Sequence, residues 1–190
     1  MNAPTKPSMN SASPLSDLRT EFLSGTTPSM PIAGMIFWAI IGAAALRLPP
    51  NPLALVVLFG SGMIFPFGAL LDRLIYKRMK LSDTANPIVQ LFMQCLALVV
   101  LLWPFVILAA RAAHSVDLIV LGGAILMGII WIPYGWCADD PVGMQHAIGR
   151  CLLCYAAYLY APAPYKATAI SAAVILAYLY SLIRLRRPTR

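Results

Sequence analysis

After residue 30 the chain is a succession of apolar runs separated by short polar or proline-bearing breaks. Six runs can be traced, at about Pro31 to Leu46, Pro52 to Ile75, Pro87 to Ala110, Leu118 to Trp136, Ala147 to Ala161 and Tyr165 to Leu185. Roughly 17–25 apolar residues carry a helix across a bilayer, so the first and fifth runs are short for the task. Residues 1–30 are instead rich in Ser, Thr, Pro and Asn and predict a largely disordered polar segment. One short helix fits within it: Ser13 as cap, Pro14 in the first helical position and Asp17 in the first turn. Leu15, Leu18 and Phe22 would share a face suited to the membrane surface. Three regions follow: the segment 1–30, a helical bundle over 31–185, and a basic tail over 186–190.

Charge turns this pattern into a topology. Of 190 residues, 60% are hydrophobic and 11% charged, and the mean hydropathy is +0.77. A soluble domain of this size could not hide so much apolar surface. The net charge of +7 lies in short clusters between apolar runs rather than on a basic soluble face. That is a membrane-topology signal, and nucleic-acid binding is not expected. With six spans and the N-terminus inside, Lys6, Arg19, Arg73, Lys77, Arg78, Lys80, Arg150, Arg184, Arg186, Arg187 and Arg190 fall on the cytoplasmic side. Arg47, Arg111 and Lys166 fall outside, which divides the 14 cations 11 to 3. Without a fifth span the C-terminal arginines would be outside, against the positive-inside rule.

Two helices end alike. Pro66-Phe67-Gly68 precedes Asp72, and Pro133-Tyr134-Gly135 precedes Asp139, each aspartate four residues past its glycine. Pro66, Pro104 and Pro133 inside predicted helices each free a carbonyl one turn earlier, giving a kink, a hinge or a polar niche. No Asp, Glu, Lys or Arg is expected near the middle of a span, and this disfavours ion-coupled transport of charged substrates. Gln90 and Gln94, one turn apart, are the polar candidates for binding a ligand, together with the niches at Pro66 and Pro133.

Cys137, His146, Cys151 and Cys154 could be drawn together for zinc, but small buried hydrophobes are the plainer reading, and no metal or cofactor is expected. The cytoplasmic compartment argues against a disulfide. Asp139, Asp140 and His146 fall in a predicted loop from Cys137 to Gly149. They read as turn chemistry, so no enzyme is predicted.

Ile36-Phe37-Trp38, Gly62-Met63-Ile64-Phe65-Pro66, Asn86-Pro87 and Pro133-Tyr134-Gly135-Trp136 carry a family resemblance. Over about residues 15–185 the chain resembles a group of small bacterial multi-pass membrane proteins known as a domain of unknown function. The resemblance implies a membrane location and a helical bundle, and no site. The combined expectation is an all-α integral membrane bundle of about six helices in a bacterial inner membrane, with both termini cytoplasmic. Its partners are the lipid bilayer and further copies of itself as a homo-oligomer, and the sequence names no small-molecule ligand. The expected function is a small transporter-like or channel-like protein for a neutral or lipid-like substrate. The alternative is a non-catalytic accessory protein that binds a protein partner through its cytoplasmic loops.

Overall fold

The computed structural model describes residues 14–75 and 85–185, and every regular element among them is helical. Ser13, Lys6, the cluster Lys77, Arg78 and Lys80, and the tail 186–190 lie outside the described residues. Helix α1 (Leu15–Gly25) begins one residue after Pro14, with Asp17 in its first turn, where a carboxylate complements the free N–H groups. Thr26 to Pro28 turn the chain into α2 (Ser29–Ala45) at 52°. Helix α3 (Pro50–Ile75) passes through Pro66 without a break. Asn86 caps α4 (Pro87–Ala112), its Oδ1 accepting from Ile88 N at 2.9 Å.

The fourth apolar run forms two helices, α5 (Val116–Ile129) and α6 (Trp131–Ala138), broken at Ile130. Pro133 has no N–H to give the Ile129 carbonyl, and the ladder is interrupted at that turn. Helix α7 (Val142–Tyr160) follows a turn of only three residues. Asp139 closes α6 in the left-handed region (φ 52°), and Asp140 Oδ1 accepts from Val142 N at 3.0 Å. The predicted loop from Cys137 to Gly149 is therefore mostly helix. A short 3-10 turn (Ala163–Tyr165) leads into α8 (Lys166–Arg184).

Four segments are long and apolar enough to cross a membrane: α3, α4, α5 with α6, and the 3-10 turn with α8. The bent pair α1–α2 makes a fifth. Helix α7 is not among them; it carries Gln145, His146 and Arg150.

Paired contacts make successive rods antiparallel. Gly68 meets Met30 and Gly60 meets Ile41 between α2 and α3; Gly122 meets Val106 and Gly123 meets Trp103 between α4 and α5. Gly128 meets Arg150 and Gly135 meets Gly143 along α5–α6 and α7. Helix α8 runs back along α2, where Gly42 faces Ser171 and Gly34 faces Tyr178, and Thr168 Oγ1 donates to the Gly42 carbonyl at 3.1 Å. The small residues of α2 thus serve close packing within the bundle. Helix α5 sits centrally, touching α3, α4, α7 and α8, and the core gathers Trp38, Ile41, Val57, Val120, Ala124, Ile170 and Val174.

The apolar face of α1 turns into the bundle at Leu18 and Phe22 rather than lying on a membrane surface, and only Leu15 of the three stays exposed. Phe22 is buried with Ile88 and Cys137, its ring 5.8 Å from Phe92 and 5.9 Å from Tyr134. Asn86 Nδ2 donates to Leu18 O and to Glu21 Oε2, both at 3.0 Å, and Arg19 pairs with Asp139 at 2.8 Å. The two aspartates of the repeated motif thus hold the N-terminal segment: Asp139 takes Arg19, and Asp72 accepts from Thr27.

Candidate functional site: a lateral cavity backed by a buried arginine

Helices α3 and α4 scarcely touch, and a cavity of about 960 Å³ lies between them, bounded also by α1, α2, α5, α6 and α8. Its body is apolar, walled by Phe65, Phe92, Leu96, Val99, Trp103 and Met127. One end is polar, formed by Glu21, Thr27, Asp72, Arg73 and Asn86. Along α4 the wall runs from Asn86 to Trp103. At 1.5 Å per residue this is about 25 Å, most of the ~30 Å hydrocarbon core of a bilayer. Gly62, Met93 and Val100 line the cavity and are also exposed, so it opens sideways between α3 and α4.

The inner wall includes Trp131 and Tyr178. Behind them stands a group that the sequence reading placed at the cytoplasmic surface. Arg150 is completely buried, and none of its three side-chain nitrogens has a hydrogen-bond partner among the described residues. Its guanidinium lies 5.2 Å from the Tyr178 ring centre and 5.5 Å from that of Trp38, and its stem packs on Gly128. His146, one turn earlier on α7, is buried as well. Its ring stacks on Trp131 at 4.0 Å and its Nδ1 lies 2.7 Å from Ser181 Oγ, while Nε2 has no partner among the described residues. The buried indole nitrogen of Trp38 is also without a partner among the described residues.

This corrects the expectation that no charge lies deep in the bundle. Asp140 and the Gly135–Gly143 contact start α7 at Val142, five residues before the predicted run. Arg150 consequently sits more than two turns into the helix, about 12 Å from Val142 at 1.5 Å per residue.

Gln90, Gln94 and Pro66 are exposed and Pro133 half-buried, and none of the four is among the residues lining the cavity. Asp139, Asp140 and His146 each take a different partner: Arg19, the start of α7, and Ser181 with Trp131. All four cysteines are free thiols; Cys137 packs beside Ile88, whereas Cys154 belongs to the main core. Among the described residues no three His, Cys, Asp or Glu side chains come together in a metal-binding group.

A helical bundle with several membrane-length apolar helices and a lateral apolar cavity defines a membrane-embedded class of protein. Within it, the chain belongs to a family of unknown function, DUF7010, whose sequence profile covers residues 15–187. Neither a curated protein nor a solved structure matches it.

Proposed function

We propose that this chain is a six-span protein of the bacterial inner membrane that takes a lipid-like amphiphile into the cavity between α3 and α4, in a transporter-like rather than catalytic role. The cavity carries the reading. It has the apolar body and polar end of an amphiphile, lies at the upper end of the size range of ligand pockets, and opens where lipid would surround the bundle. The antiparallel course supports the six spans, with α7 as the fifth. The distribution of cations supports cytoplasmic termini. Arg19, Arg73 and Arg184 belong to the end of the bundle that carries α1, and Arg47, Arg111 and Lys166 to the opposite end. Moving Arg150 from loop to span leaves ten cations inside, one within and three outside, and the positive-inside sense is unchanged.

Gly62 offers a direct test. It lines the cavity, and a side chain there would meet open space. Gly62→Trp should fill the cavity and leave the fold intact. Gly149 is equally unobstructed and is not among the lining residues, so Gly149→Trp is the control. Native mass spectrometry from lipid nanodiscs should show a retained amphiphile on the unmodified chain and on the control, and its loss from Gly62→Trp. Equal retention by all three would rule this cavity out as the binding site.

A further inference from the structure

We infer that Arg150 is the anchor of an oxyanion-binding site, reached from the cavity past the Tyr178 ring, whose ligand is a carboxylate or phosphate. The inference rests on the cavity of the preceding section being the way in. A guanidinium carries five N–H donors and no acceptor, and burying it without a partner is costly in a protein interior and more so in a membrane. Arg150 is in that condition: fully buried, with all three nitrogens unpartnered and no acid paired with it among the described residues. Two aromatic faces soften the cost but leave the in-plane donors unused.

The neighbouring unsatisfied groups point the same way. The Trp38 indole N–H can only donate, and His146 Nε2, on the same face of α7 one turn away, is also unpartnered. An indole N–H beside a guanidinium calls for an acceptor with several lone pairs, which an oxyanion supplies, two of its oxygens matching the guanidinium fork; His146 Nε2 adds a donor in the tautomer whose Nδ1 accepts from Ser181 Oγ.

Access is written into the same residues. Tyr178 and Trp131 line the cavity on one side and contact Arg150 and His146 on the other. The Tyr178 ring lies against Gly34, where any Cβ would overlap it, so its position depends on that glycine. At the cavity's polar end the two carboxylates Glu21 and Asp72 outnumber the one cation, Arg73, and disfavour an acid, whereas Arg150 lies behind the inner wall, against Tyr178, with no carboxylate paired to it among the described residues. The acidic group of an amphiphile, or a free oxyanion, would therefore seat beyond the Tyr178 ring.

The test uses the full chain in neutral detergent, with tryptophan emission as the readout, since Trp38 and Trp131 both flank the site. Dodecanoate and dodecanol share an apolar chain and differ at the head. Dodecanoate should bind about tenfold or more tightly than dodecanol, in line with a charge-assisted hydrogen bond. In Arg150→Gln the two affinities should become equal, with that of dodecanol unchanged. Inorganic phosphate separates the sources: competition with dodecanoate assigns the site to free oxyanions as well, and no competition assigns it to an acid carried on an amphiphile. Equal affinities in the unmodified chain would overturn the inference and leave the cavity reading standing, and that comparison needs no variant. A preference that survives in Arg150→Gln would overturn it too. Phosphate binding, with neither amphiphile bound, would instead overturn the amphiphile as the cavity's ligand and keep the oxyanion site, with the cavity as its way in.

Discussion

Gly143→Ala is expected to lower thermal stability sharply, by about 3 kcal/mol, at the upper end of the usual cost of overpacking. Gly135 of α6 and Gly143 of α7 meet backbone to backbone across the turn that joins their helices. A Cβ at Gly143 would overlap the Trp131 carbonyl and the Gly135 backbone, and neither is the free end of a flexible side chain. The start of α7 would have to lift away, pulling Val142 from the Asp140 carboxylate and His146 from the Trp131 ring. Gly149→Ala on the same helix meets nothing and should gain up to about 1 kcal/mol from helix propensity. Thermal unfolding in detergent compares the two. Similar melting temperatures would mean that α6 and α7 do not approach so closely.

Arg150→Met carries the second large effect, and its sign is what matters. Removing a residue that contacts two aromatic rings would ordinarily destabilise. Here the guanidinium is buried without a partner among the described residues, at a cost of several kcal/mol. The two ring contacts return about 0.5–2 kcal/mol each. Methionine keeps most of the stem that packs on Gly128 and discards the charge. In neutral detergent, with no acid added, the variant should melt higher than the parent by the equivalent of about 1–2 kcal/mol. Dodecanoate should then stabilise the parent and not the variant. A lower melting point for Arg150→Met in the absence of acid would mean that the guanidinium has a partner in the protein itself.

The sequence marked out most of the helices because their boundaries are chemical. Pro87 after Asn86 and the proline-bearing breaks sit where helices begin or end, although α3 starts at Pro50, two residues before the expected run. Helix α7 was legible only in part. Its first five residues, Val142 to His146, follow Asp139-Asp140-Pro141, which reads equally well as the start of a long loop. What begins the helix there is a carboxylate cap and a glycine–glycine contact, and the latter depends on α6.

Arg150 was misplaced for a related reason. A cation beside a polar stretch counts as a loop charge, and its burial depends on Trp38, Gly128 and Tyr178 from three other segments of the chain. Gln90 and Gln94 illustrate the converse. Helix α4 is apolar nearly all round, so its sequence does not reveal which side meets α5, and the structure leaves both glutamines exposed. Asn86-Pro87 was legible as part of a family pattern. Its work in tying α1 to α4 rests on Leu18 and Glu21, more than sixty residues away.

The account turns on α7 crossing the membrane, since that places Arg150 and His146 at depth behind the cavity. The most direct measurement is labelling of single cysteines, in a cysteine-free background, with a membrane-impermeant maleimide on intact cells and on inverted vesicles. One cysteine replaces Pro141, exposed in the turn before α7, and the other replaces Ala163, exposed in the turn after it. The account predicts labelling at 163 from outside the cell and at 141 only from the cytoplasmic face. Labelling of both positions from one side would mean that α7 enters and leaves by the same face, and would contradict the six-span bundle.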